Sequence, residues 1–432
     1  MNRPVTSTLA YLTPDIPGIG GRIKLRPDDF LVDEQPLYPP DGEGEHLYLF
    51  IEKRGQTTSD VVRRLAKLFA VKRDAVGYAG LKDKQAVTRQ HFSIHLPQGR
   101  DQDKALARIE HTPFKLLWAA RHRNKLRRGH LAGNRFVIYI REVQPTAVLG
   151  ARRVLDRLVA HGAPNYIGEQ RFGYRQNNHI LGRLMLQGQW QAMLDAMLGQ
   201  PSSADVPVVA AAREHYSRQD YRAALEAWPR HFRHDRQALD LLRQGRSARD
   251  AVLGIDLDQR VFLLTALQSA VFNAVLDRRV RDGRLHQLIE GDLAWKHDSR
   301  AVFAVDAAIA QAENAPGGRV ARMEVSPSGP MWGHGMMRAA AAAGQWELDA
   351  LQAQGLNEAD FPGPQELGIT ASGARRPMRL AIRDAEVSGG VDEQGAYVRV
   401  AFELERGAFA TVVLREIMKN DAAQAGEESP EA

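Results

Sequence analysis

The 432-residue chain contains no cysteine. That absence excludes disulfides, thiolate-ligated zinc, iron–sulfur clusters and a thiol nucleophile together, so any chemistry rests on other groups. Long apolar stretches are scarce as well. None reads as approaching the roughly 18 uncharged apolar residues of a membrane span, and the opening MNRPVTSTLAYLTPDIPGIGG carries prolines where a signal peptide needs an unbroken apolar segment. The expectation is a cytoplasmic chain with no membrane partner. No G-x-x-x-x-G-K-[ST] phosphate loop and no G-x-S-x-G elbow occurs, and the glycines of GIGGR (Gly18 to Arg22) lack the strand–glycine–helix frame of a dinucleotide site. Nucleotide-cofactor and serine-hydrolase chemistry therefore lack sequence support.

What is present is an ordinary folded composition. Apolar residues make up 44% and charged residues 25% of the chain, enough for two to three domains of ~150 residues. The 58 Lys and Arg exceed the 52 Asp and Glu, giving +6. A mild basic excess suits a polyanionic partner without requiring one, and its distribution matters more than its sum. The densest basic run is RHRNKLRRGHLAGNRFVIYIRE, Arg121 to Glu142, which passes into a clearly alternating strand.

Periodicity predicts short strands mixed with a helix from Gly21 to about Arg141. IKLRPDDFLVDEQPL and HLYLFIEKRG alternate like strands, and TTSDVVRRLAKLFAV has a helix start with Val61, Leu65, Leu68 and Phe69 toward a core. A helical pattern follows from about Ala147 to Val159. The middle of the chain is dominated by helical spacing, with Val261, Leu264, Ala266, Leu267, Val271 and Leu276 as core residues of one helix. YVRVAFELERGAFATVVLREIMK returns to alternation before a last helix, and the tail from residue 420 is expected to be disordered.

Three constellations carry possible chemistry. In GYAGLKDKQAVTRQHFSIH, Gly77 to His95, Asp83 is flanked by Lys82 and Lys84; neighbouring ammonium groups favour a charged carboxylate, which is a nucleophile or base and not a proton donor. The plain alternative is a solvated charged turn. In NYIGEQRFGYR, Asn165 to Arg175, aromatic residues interleave with Arg171 and Arg175, which fits either an RNA strand or an aromatic turn packed on a core. In GNRFVIYI, Asn134 and Phe136 share one strand face, an amide and a ring suited to a base edge. His91 and His95 have metal-compatible spacing but no clustered carboxylate to complete a ligand set.

In this order GLKDKQAVTRQ, GNRF, NYIGEQRFG and GAFATVVLRE, with KLRPDDFLVDE ahead of them, resemble the TruD family of pseudouridine synthases over nearly the whole chain except the tail. The resemblance implies an α+β fold: a pseudouridine-synthase core with a mixed, largely antiparallel sheet, interrupted by a large α+β TRUD insertion, with RNA in the cleft between them. The core is placed at 1–164 and 374–419, the insertion at 165–373 and the acidic tail at 420–432. The implied activity is isomerisation of uridine 13 of tRNA by a nucleophilic aspartate, Asp83, attacking the ribose C1′ or, alternatively, base C6. No cofactor, metal or protein partner is implied, and the chain is expected to be a monomer. Phe30, Asn134 and Phe409 are implied to line the uridine site. Lys24 would pair with Asp83, while Phe136, Gln170 and Arg171 would support the site or contact RNA. Lys82 and Lys84 are expected to face phosphates. A tRNA-binding chaperone and an RNA glycosidase are the competing readings.

Overall fold

The computed structural model describes residues 9–97, 102–361 and 363–420, so the acidic tail beyond Asn420 lies outside the described residues. The chain forms two compact units: one joins Leu12–Ala163 to the segment from Leu380 onward, the other joins the N-terminal residues up to Tyr11 to Pro164–Arg379.

In the first unit the chain runs β1 (Phe30–Pro36), β2 (His46–Arg54), α1 (Thr58–Leu68), β3 (Val76–Tyr78), β4 (Val87–His95), α2 (Gln102–Ala107), β5 (Phe114–His122), β6 (Leu131–Arg141) and α3 (Val148–His161). It leaves through β7 (Ala163–Pro164). The insertion begins with six helices, α4 to α9, within 178–253, then α10 (Leu257–Arg281), β8 (Leu293–Lys296), β9 (Val302–Ala304), α11 (Ala307–Asn314), β10 (Val325–Met331), α12 (Ala341–Ala353) and β11 (Ala374–Pro377). It returns through β12 (Arg379–Leu380) to β13 (Arg383–Asp392), β14 (Gly395–Glu405) and α13 (Ala410–Met418).

The first unit is built on an eight-stranded sheet in the order β13-β14-β6-β1-β4-β2-β5, with β3 paired to β4. Only β1 and β4 run parallel; the other pairings are antiparallel. Alternation along β2 turns Leu47, Leu49 and Ile51 to one face, where they pack with Val61, Leu65, Phe92 and Ile94. Helix α1 forms where a Thr57–Asp60 capping box satisfies its first amides and its apolar stripe meets that sheet face. The late strand β14 pairs with β6 from Tyr397 to Glu405, so segments more than 250 residues apart share one sheet.

The second unit has a four-stranded sheet in the order β11-β10-β8-β9, with α10 against β10 and α4 (Asn178–Leu186) against α10. Helix α10 corrects the reading that no stretch has span-like length and apolarity. Its length and composition meet that description, and 61% of its most apolar window is buried, where apolar side chains are needed on more than one face. Of the core residues expected in α10, Val261 is 41% exposed while the other five are buried.

The insertion ends later than the expected 373. Arg375 makes a buried two-pronged pair with Glu347 at 2.6 and 2.9 Å, and β11 pairs with β10. Arg379 donates to Ser326 Oγ and to the carbonyls of Val320 and Val325. The arginines of RRPMR thus anchor the insertion. At the other end, the Ala10 amide donates to Asp277 of α10 at 2.6 Å, which ties residues 9–11 to the insertion.

Candidate active site

Strands β3 and β1 use the same edge of β4 at opposite ends: Tyr78 stands opposite Phe92, and Leu31 opposite Val87. The intervening loop, 79–86, runs back along that edge past the point where the β1–β4 pairing ends at Asp33. Side chains beneath it fasten its backbone. Lys53 continues the apolar face of β2 and is 1% exposed; its ammonium donates to the carbonyls of Gln56 at 2.7 Å, Asp83 at 3.0 Å and Lys82 at 3.5 Å. Thr58 Oγ1 accepts from the Lys82 amide at 3.0 Å, and the Gln90 amide donates to the Gly80 carbonyl. Burial pushes the Lys53 ammonium down to about 8, with Asp83 opposing the shift and Lys82 adding to it.

Asp83 stands at the open side of this loop. Its Oδ2 lies 2.5 Å from Lys24 Nζ, and its Oδ1 accepts the Gln85 amide at 2.9 Å, an Asx turn that fixes the carboxylate relative to its own backbone. The Lys24 side chain is 4% exposed and that of Asp83 is 36% exposed. The cation is therefore buried behind an anion that remains reachable. Lys24 holds a left-handed backbone, φ 57°, uncommon for a residue with a Cβ and worth of order 1 kcal/mol of strain. Its ammonium also lies 4.8 Å from the centre of the Phe30 ring.

Lys82 turns the other way from Asp83. Its side chain is 5% exposed, with Nζ 2.9 Å from Glu34 Oε2 and donating to Asn134 Oδ1 at 2.7 Å. This overturns the expectation that Lys82 faces phosphates: a buried carboxylate and an amide take its charge. Glu34 and Asn134 are cross-strand partners in β1 and β6. Glu34 Oε1 accepts the His91 amide and faces His91 Nδ1, both at 3.1 Å. Burial alone would raise the Glu34 carboxyl, but the His91 hydrogen bond and the Lys82 charge together hold it below the usual glutamate range. His91 stacks on Phe50 with ring centres 4.4 Å apart, which accounts for it without a metal.

The rings lie on the same sheet face. Phe30 and Phe136 meet edge to face at 6.4 Å, and Phe136 packs on Phe402 at 5.7 Å. Both Phe30 and Phe136 are buried, while Asn134 is half-buried. The structure thus brings together Lys24, Phe30, Asp83, Asn134 and Phe136.

The sequence profile of the tRNA pseudouridine synthase D (TruD) family matches residues 7–417. The chain belongs to this family. Relatives named tRNA pseudouridine synthase D include one from Syntrophotalea carbinolica, 42% identical over 412 residues, covering 95% of this chain and 99% of the relative. Another, from Geobacter sulfurreducens, is 41% identical and covers 95% of this chain and 96% of its own. A solved structure from Methanosarcina mazei, described as a TruD protein, superposes with a TM-score of 0.83 at 25% identity, covering 96% of this chain and 97% of that one. The α+β class expected from the TruD resemblance is the class observed.

Phe409 is the residue before α13 and is 50% exposed, with no ring contact to the Asp83 group among the described residues. Gln170 and Arg171 belong to the insertion, on the turn Glu169–Phe172. Burial lowers the Arg171 guanidinium, which lies 4.9 Å from the centre of the Phe262 ring. The neighbouring aromatics Tyr166 and Phe172 are 4% and 0% exposed, so the core reading of that motif holds for them. Within the basic run, Arg121 donates to the Leu96 carbonyl, Arg123 pairs with Glu43 and Lys125 donates to the Asp74 carbonyl. Arg127 and Arg128 are exposed.

Sequence reasoning missed Glu34, Lys53, Thr58 and Gln90. A usable signal existed for two of them. Phe30, Val32 and Glu34, like Leu49, Ile51 and Lys53, place a charge at the end of an apolar period-two face, where burial demands a partner.

Proposed function

We propose that the protein is a tRNA pseudouridine synthase that isomerises uridine 13, with Asp83 as nucleophile, on a nucleotide flipped from its stack and without a cofactor. The observation that carries this reading is the Lys24–Asp83 pair, an open carboxylate 2.5 Å from a buried ammonium, in a chain of the TruD family. A nucleophile needs an accessible atom and a fixed direction of approach. The Asx turn and the Lys53 contacts fix the direction; the exposure of Asp83 supplies the access.

In the proposed reaction an Asp83 oxygen attacks ribose C1′, and the C1′–N1 bond breaks with its electron pair leaving on uracil. The base turns, C5 bonds to C1′, and the bond to Asp83 breaks. C5 then loses its proton to solvent while N1 gains one, so atoms and electrons balance with no added reactant. A stacked uridine hides these atoms, which is why the nucleotide is flipped. Each aromatic stack supplies ~1–3 kcal/mol, comparable with the few kcal/mol that flipping costs.

The test uses tRNA tritiated at uridine C5. The native protein should release the label, with product mapped to position 13 by chemical tagging, and Asp83→Asn should release none while still binding tRNA. Native-rate release by Asp83→Asn would remove the nucleophile assignment, and product at another position would remove the site assignment.

A further inference from the structure

An ammonium group only donates hydrogen bonds, whereas a carboxamide has an accepting end and a donating end. With Lys82 Nζ 2.7 Å from the Asn134 side chain, the amide oxygen is the end that faces it; the reverse arrangement would set two donors against each other. The NH2 of Asn134 is therefore the end turned away from Lys82. Lys82 itself is held in place by Glu34 at 2.9 Å, and Glu34 by His91. The side chains of Lys82 and Glu34 are 5% and 1% exposed, too enclosed for water to take over either role. Asn134 is half-buried, less enclosed than Glu34. It sits two residues from Phe136 on one face of β6, opposite Glu34 of β1.

We propose that Glu34, Lys82 and Asn134 form a relay that selects uracil over cytosine by offering the base hydrogen-bond donors alone. Uracil accepts at both of its carbonyl oxygens. Cytosine still accepts at O2 and N3 but carries an amine in place of O4, so with the Asn134 NH2 set against position 4 of the base donor meets donor there, and the tethered amide cannot turn over to accept. Rejection by an unmatched buried polar group is much stronger than rejection by shape alone. The relay rests on the proposed function, since it places the target base beside Asp83; Asn134 and Lys82 act on base choice, with Glu34 as the positioning residue.

The experiment measures binding of two tRNAs that differ only by U or C at the target position, in Asp83→Asn protein so that nothing turns over. The expected preference for U is about tenfold or more. Adding Lys82→Met should abolish that preference by freeing the amide, adding Lys82→Arg should retain it, and adding Asn134→Asp, which offers acceptors only, should shift it toward C. If Lys82→Met does not fold, Asn134→Asp decides the question, because its carboxylate keeps a partner in Lys82. Equal affinity of the Asp83→Asn protein for the two tRNAs would overturn the relay. Failure to bind either tRNA would instead overturn the functional reading beneath it.

Discussion

The loop 79–86 and the segment 165–175 both carry glycine, charges and family-signature residues, yet they spend their side chains in opposite directions. In the first, Leu81, Asp83, Lys84 and Gln85 are exposed, and residues from neighbouring strands and α1 hold the backbone from below. In the second, Tyr166 and Phe172 are buried, Asn165 bonds Arg376 and the Pro377 carbonyl, and Arg175 donates to the carbonyls of Ala196 and Gln200. One loop is held by its backbone, which leaves the Asp83 carboxylate reachable; the other uses its side chains to hold. A signature string alone does not distinguish these, because both uses require particular residues.

The largest expected effect tests the first half of that contrast. Asp83→Asn should lower turnover by roughly 10⁴-fold or more, the scale seen when a covalent nucleophile is removed, with only a small fall in thermal midpoint, since the enclosed Lys24 ammonium loses its anion while the amide oxygen still accepts from Lys24 and Gln85. A large loss of stability in that variant would mean that Asp83 is holding the loop and not acting from it. In the second segment the balance reverses. Phe172→Ala should cost about 3–5 kcal/mol of stability, read by denaturant unfolding, while label release per folded molecule stays near native. Loss of tRNA binding with native stability would show that the ring meets RNA after all.

Legibility followed the same division. The strands were readable because apolar residues recur at every second position, as at Leu47, Leu49 and Ile51 of β2 and Val398, Val400, Phe402 and Leu404 of β14, even though both strands also bury residues of the other face at Tyr48 and Ala401. Asp83, Asn134 and Phe136 could be singled out because an acid, an amide and a ring stand out in short motifs. The direction of Lys82 could not, since residues flanking an exposed acid point either to solvent or inward, and only the distant Glu34 decides. The end of the insertion was misplaced for a related reason: RRPMR looks like a basic return strand, and its partners Glu347, Ser326 and Val320 lie 28 to 59 residues earlier.

A smaller effect comes from Lys53, which joins the two modes by holding the loop that Asp83 acts from. Its ammonium is depressed to about 8, so above that pH the folded protein has released a proton that the unfolded chain keeps up to the usual lysine range. By linkage, the contribution of Lys53 to global stability rises with pH across that window. The clamp moves the other way, because a neutral amine has fewer and weaker donors for the carbonyls of Gln56, Lys82 and Asp83. Turnover should therefore fall above pH ~8 while stability gains from this group, with Asp83, Lys82 and Asp60 as the charges that tune it. Lys53→Met should be about tenfold slower and lack that alkaline limb. An identical limb in the variant would assign it to another group.

The smallest effect concerns Arg127 and Arg128, which close the basic run on its exposed side. Elsewhere in the run Arg121 is taken up by the Leu96 carbonyl and Arg123 by a surface pair with Glu43, so net charge overstates what the run offers to RNA. Arg128 donates to the Tyr78 hydroxyl at 3.1 Å, on the strand that leads directly into the Asp83 loop. A phosphate bound there would sit at the entry of that loop. Replacing both arginines by alanine should weaken tRNA binding several-fold and lower the log–log salt slope by roughly 1 for each phosphate no longer neutralised, with turnover at saturating tRNA nearly native. An unchanged slope would make these arginines, like Arg121 and Arg123, part of the scaffold and leave the loop's own exposed lysine, Lys84, as the next cation to test.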